Sequence, residues 1–121
     1  MIRLITRGKF TGSHIKGLLD APEDREPAVR KLVEAAGGKL IGFYFTTGDH
    51  DFMLIVEGPD AESIIAGVMA AAAPGTITDQ TTIRAWTAAE FKPVAEKAAK
   101  AAAAYRVPGP AGKPEDAVWS G

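Results

Sequence analysis

Thr46-Thr47-Gly48-Asp49-His50-Asp51-Phe52-Met53-Leu54-Ile55-Val56-Glu57-Gly58 is the stretch from which the fold can be read. Gly48-Asp49 is a two-residue hairpin signal, because glycine accepts the positive φ of a type II′ turn. Residues 51–57, which follow, form the most apolar strand of the chain. A hairpin requires a partner strand before it, and Leu40, Ile41, Phe43, Tyr44 and Phe45 supply one over 39–46. Both strands are apolar at successive positions instead of alternating. Successive side chains point to opposite faces, so both faces of the sheet need cover. Helices of the same chain can cover one face, and a second copy of the protein is the simplest cover for the other.

Working outward, residues 2–10 predict a first strand that Gly8 or Gly12 bends or ends. Ser13 is placed to cap a short helical turn carrying Ile15, Leu18 and Leu19. Asp20-Ala21-Pro22 breaks that turn and starts the next helix, which Pro27 kinks near its beginning. Val29, Leu32, Val33 and Ala36 follow at i, i+3, i+4 and i+7, an amphipathic stripe that Gly37-Gly38 stops. Beyond the hairpin, Gly58-Pro59-Asp60 opens a helix with the cleanest stripe of the chain: Ala61, Ile64, Ile65, Val68, Met69 and Ala72. Pro74-Gly75 ends it, and residues 76–86 form a fourth strand. Thr87-Ala88-Ala89-Glu90 has the form of a capping box. The helix after it carries Phe91, Val94, Ala95, Ala98, Ala102 and Tyr105, with Pro93 as a local defect. A Pro- and Gly-rich tail follows, in which Trp119 points to docking into a groove.

The order is that of a ferredoxin-like βαββαβ fold of the α+β class. It has a four-stranded antiparallel sheet, an extra C-terminal helix and a tail. Two regions are expected: residues 1–94 as the ferredoxin-like domain, and 95–121 as the helical extension with its tail. In this topology strands one and two run one way, and strands three and four the other. The loop with His14, the hairpin with Asp49, His50 and Asp51, and the turn at Pro74-Gly75 then share one end of the sheet.

Composition narrows the function classes. With 121 residues, 46% of them hydrophobic and 24% charged, the chain has the size and balance of one globular domain. A formal net charge of -1 argues against a broad electrostatic grip on nucleic acid or an anionic membrane. With no cysteine, disulfides and thiolate chemistry are excluded and a reducing cytoplasm is the simple expectation. No run approaches the roughly 20 apolar residues of a membrane helix, and the N-terminal residues lack the apolar core of a signal peptide. No phosphate-binding glycine loop, nucleophile elbow or zinc spacing is present, so no cofactor or metal is expected.

The chain resembles the GYD domain family from about Ile2 to about Val94. The likeness is carried by Gly8-Lys9-Phe10-Thr11, by Ala36-Gly37-Gly38-Lys39-Leu40 with Gly42-Phe43-Tyr44, and by Thr47-Gly48-Asp49-His50-Asp51-Phe52. Glu57-Gly58-Pro59-Asp60 and Thr81-Thr82-Ile83-Arg84-Ala85-Trp86-Thr87 before Glu90-Phe91 extend it. His50 stands where the eponymous glycine–tyrosine–aspartate pattern has its tyrosine. The resemblance implies a ferredoxin-like domain of the dimeric α/β-barrel type and implies no reaction. The hairpin-strand-helix-strand stretch is also similar to the ligand-binding domain of leucine-responsive-type regulators, without an adjoining helix-turn-helix.

Several residues have a chemical reading beside a structural one. His50 flanked by Asp49 and Asp51 suits proton transfer, since a carboxylate orients an imidazole and raises its basicity. The same residues also suit a polar turn. His14, at the same end, is a candidate ligand contact or an ordinary loop histidine. Lys9, Arg7 and Arg84 could hold a carboxylate or enolate, or protect sheet edges from aggregation. Tyr44, Phe43, Phe45, Phe52 and Met53 could line an apolar ligand pocket, or serve as plain core or subunit interface.

Three functions remain open from the residues. One is a homo-oligomer holding a small, partly apolar organic molecule in a sheet-helix cavity, with cofactor-free acid–base conversion as an extension. The second is a ligand-sensing module without catalysis. The third is a protein whose assembly is its purpose.

Overall fold

In the computed structural model, which describes residues 1–110, β1 (Ile2–Phe10) lies between β3 (Phe52–Gly58) and β4 (Ile77–Ala85), with β2 (Lys39–Phe45) outside β3. The sheet order is β2-β3-β1-β4, and every neighbouring pair is antiparallel. Between the strands come α1 (Gly12–Asp20), α2 (Glu26–Ala35) and α3 (Ala61–Ala72). The α+β, ferredoxin-like expectation holds, with α1 as a separate helix before α2. Met1–Ala85 forms one compact unit, and the chain from Trp86 a second. The second contains α4 (Ala88–Ala104), started by the expected capping box: Thr87 Oγ1 accepts from Glu90 N–H while the Glu90 carboxylate accepts from Thr87 N–H. Trp119 and the rest of the tail lie outside the described residues.

Local chemistry explains the boundaries. α2 ends in the paired bonds of a Schellman motif: Gly38 N–H reaches Val33 O at 2.9 Å and Gly37 N–H reaches Glu34 O at 3.0 Å. Gly37 makes this possible with a φ of +89°. Asp60 caps α3 by accepting from Ser63 N–H at 2.7 Å.

Three local expectations are corrected. Thr11, not Ser13, is the N-cap residue of α1, and it makes no side-chain cap bond to the helix. Its hydroxyl donates instead to Gly75 O at 2.9 Å, tying the strand end to the α3–β4 turn. α2 begins at Glu26, so Pro27 falls in its first turn, where no intrahelical N–H is needed and no kink is required. The hairpin is not a two-residue turn. Thr46 N–H donates to Asp51 O at 2.8 Å, and Thr46 Oγ1 donates to His50 O at 2.8 Å, closing a longer connection in which Gly48 has a φ of +97°.

The pleat sorts the side chains. Leu4, Leu40 and Val56 point toward α2 and α3, where they meet Val33 and Ile64 in the buried core. The β2–β3 register shifts between Leu40 and Gly42, which places Phe43 and Phe45 on this helix face and Tyr44 on the opposite one. On that second face Ile5 is paired with both Ile55 and Ile83, and Tyr44 with Met53. Arg3 and Glu57 form a 3.2 Å ion pair at its margin. Within this unit the helices leave that face uncovered, and Tyr44 and Ile83 are exposed.

Candidate functional site

A cavity of about 390 Å³ lies between the helix face of the sheet and α2 and α3. Small residues create it. Ala28 and Ala36 on the α2 side, and Gly67, Ala70 and Ala71 on α3, line positions where larger side chains would fill the layer. The two helices already pass close to each other where small residues meet, since a Cβ built on Gly67 would lie 3.3 Å from Ala36 Cβ. Leu54, Val56, Ile64 and Val68 make the walls apolar. The Thr6 hydroxyl, 3% exposed as a residue, is satisfied by Thr82 Oγ1 at 3.0 Å and so adds no open polarity to the floor.

One end of the cavity is chemically different. Phe10, His14, Arg25 and Thr76 line it there. This end is built by the predicted convergence of loops. Thr11 N–H donates to Thr76 O at 3.0 Å, and Phe10 N–H donates to Asp51 Oδ2 at 2.9 Å. The His14 imidazole stacks on Phe10 with centroids 4.1 Å apart. Its Nε2 is buried and has no hydrogen-bond partner among the described residues. Burial, and then the positive charge of Arg25, hold the His14 pKa below its ordinary value. The imidazole is therefore neutral at neutral pH. Arg25 is itself paired with Glu23 at 2.8 Å, through one nitrogen of its guanidinium.

Of the polar and charged candidates only His14 lines this cavity, and of the aromatic candidates Phe43 and Phe52 line it. Asp51 serves the backbone: its carboxylate holds Phe10 N–H, and its own N–H donates to Gly8 O at 2.8 Å. Asp49 is exposed and His50 half-buried in the connection outside the cavity lining. Lys9 pairs with Asp79 at 3.6 Å, and Tyr44 lies on the other sheet face. Arg84 pairs in register with Leu4, on the helix-facing side of β4, but does not line the cavity. Arg25, Ser63 and Thr76 are lining residues that motif reading did not find. The available signal was positional: Arg25 directly precedes α2, and Thr76 directly precedes β4. Among the described residues no group of three or more His, Asp or Glu side chains is placed to hold a metal ion. No helix among them is long and apolar enough to cross a membrane.

One solved structure supports the fold. MtbAldR superposes with a TM-score of 0.51 at 15% identity, covering 71% of this chain and 52% of that one. The chain thus spans about half the length of that protein. An AsnC family transcriptional regulator from Agrobacterium tumefaciens gives a TM-score of 0.44 at 17% identity, covering 71% of this chain and 50% of the regulator. TTHA0845 from Thermus thermophilus gives 0.48 at 18%, covering 73% of this chain and 96% of that one. No curated protein matches the sequence. The model of the GYD domain matches residues 4–95, which carry the cavity, the loops at its polar end and all of the sheet but the first two residues of β1, and the chain belongs to the GYD domain family.

Proposed function

We propose that this protein is a binding module for a small, mainly apolar organic molecule, held between the sheet and α2 and α3. The observation that carries the reading is the 390 Å³ cavity, whose walls are apolar and whose one end holds a buried, unpartnered imidazole nitrogen. Small-molecule sites commonly have this form: a concave apolar body with a few polar groups to orient the ligand.

The second part of the proposal is self-association through the other sheet face. Ile5, Ile55 and Ile83 form an apolar centre there, bordered on one side by the Arg3–Glu57 pair and on the other by Arg7, which stands in register with Met53. An apolar centre with a charged rim is the usual anatomy of a subunit interface. Tyr44 then belongs to the interface. A catalytic extension, if the bound molecule is converted, favours His14 as the proton-transfer group, because its neutral imidazole faces the cavity.

Native mass spectrometry of protein purified without added ligand tests both parts. A dimer or higher assembly carrying a small-molecule mass is expected. Ala71→Leu should remove that extra mass while leaving the assembly intact, and Ile83→Asp should give monomers. A monomeric wild type would overturn the second part. A ligand mass that persists undiminished in Ala71→Leu would overturn the first.

A further inference from the structure

We infer that the cavity takes an apolar monocarboxylic acid, with its tail among Leu54, Val56, Ile64 and Val68 and its carboxylate between His14 Nε2 and Arg25. This rests on the reading of the cavity as a binding site and adds the chemistry of the ligand. The tail follows from the walls, which offer hydrocarbon with almost no open polar group. Size follows from volume. At about 30 Å³ per water-sized unit, 390 Å³ accommodates a molecule of roughly ten to thirteen non-hydrogen atoms.

The head follows from the polar end. His14 lines this end and is half-buried; its Nε2 is closed to water and lacks a partner among the described residues, which is costly for a polar atom, so a carboxylate that reaches it by a turn of the ring satisfies it. Arg25 lines the same cavity. Glu23 engages one nitrogen of a guanidinium that has five donors, so the fork keeps capacity for a second carboxylate. Arg25 also stands at the N-terminal end of the ten-residue α2, whose dipole favours negative charge. Glu23 offsets part of the Arg25 charge, while the remaining guanidinium donors and the helix end stay available because the other nearby acids are engaged elsewhere. Glu23 is on Arg25, Asp24 accepts from Glu26 N–H, and Glu26 is paired with Arg30. An arriving carboxylate would take up the remaining Arg25 donors and favour the protonated imidazole, both of whose ring nitrogens donate. An ammonium head would meet Arg25 with like charge and is disfavoured.

The test uses the full chain and four probes of matched length: octanoate, octanamide, 1-octanol and octylamine. Binding is measured by calorimetry, and the His14 ring resonances by NMR. Octanoate should bind about tenfold or more tightly than octanol, octylamine should be weakest, and octanoate alone should shift His14 toward its protonated form. Arg25→Gln should reduce octanoate affinity about tenfold or more and leave octanol affinity unchanged, which also reports that the variant is folded. Octanol equal to octanoate, or an Arg25→Gln loss shared by both, would sink the carboxylate while leaving the cavity as a binding site. Binding of none of the four would remove both.

Discussion

The Phe10 ring lies flat against the His14 imidazole, with planes within 5° of parallel and centroids 4.1 Å apart. Phe10 also stacks on Phe52 at 5.2 Å and meets the edge of Phe45 at 5.4 Å. One ring at the end of β1 thus joins α1 to β2 and β3. Such contacts contribute beyond simple area burial. They also fix the imidazole where its Nε2 is sealed from water. The cluster that holds the strand ends together is therefore the one that sets the polarity of the cavity.

This placement has a pH signature. His14 has a folded pKa lowered by burial and by Arg25, against an unfolded value near about 6.5. Below that value the unfolded chain binds more protons than the folded one. The contribution of neutral His14 is therefore present above about pH 6.5 and is lost as pH falls through the folded pKa. The comparison with a variant lacking the imidazole isolates His14, because every other titrating group is common to both proteins. Melting temperatures of wild type and His14→Phe between about pH 7.5 and 5 should diverge, with wild type falling more. Parallel curves would show that burial does not penalise the imidazolium.

Asp51 is expected to matter for stability through the backbone. Its Oδ2 accepts Phe10 N–H at 2.9 Å where β1 runs out of ladder partners. Asp51→Ala removes that acceptor and should cost about 1.5–3 kcal/mol, the range for a bond to a charged group whose loss leaves its partner unsatisfied. Asp51→Asn keeps an acceptor oxygen and should cost less than half as much. Urea unfolding of the two variants measures the difference, and equal losses would move the effect from the hydrogen bond to the charge.

How much of this was legible in the residues depends on the period of the signal. β1 and the α3 stripe repeat cleanly, so Ile2–Phe10 and the helix carrying Ile64 and Val68 are as expected. The shared end of the sheet follows from strand directions alone, and Thr11, Asp51 and Thr76 meet there. The hairpin misled because Gly48-Asp49 has strong local turn chemistry, whereas Asp51 is recruited by β1, a strand far away in sequence. The charged triplet drew attention to His50, while the unpartnered imidazole belongs to His14. The cavity was hidden by alanine. As composition, alanine signals helix propensity; only the packed layers show that Ala28, Ala36 and Ala71 leave a space.

Asp79 is the one non-glycine with positive φ among the described residues, at 54°. It lies where the β1–β4 register shifts between Arg7 and Lys9, so an extra β4 residue is taken up by a left-handed turn. Its 3.6 Å contact with Lys9 is exposed and adds little. Asp79→Asn should leave stability within about 0.5 kcal/mol, whereas Asp79→Val should cost about 1–2 kcal/mol from the Cβ clash in this conformation. A thermal melt in which valine is harmless would mean that the bulge rearranges without strain.

Gly8 carries the strictest steric requirement. A Cβ there would lie 2.6 Å from Phe52 Cζ and 2.9 Å from Cε1, with Thr78 O at 3.3 Å on its other side. Phe52 is 3% exposed and stacked on Phe10, so its ring cannot swing aside without opening the aromatic cluster. Gly8→Ala should therefore destabilise the fold by about 1–3 kcal/mol, the usual cost of overpacking. Phe52→Leu shortens the obstructing side chain. In that background the added methyl should cost at least about 1 kcal/mol less than in wild type, a coupling that a double-mutant cycle in urea reads directly. Additive losses would place the conflict at the Thr78 carbonyl, and the aromatic cluster would then be free to accept a side chain at this point of β1.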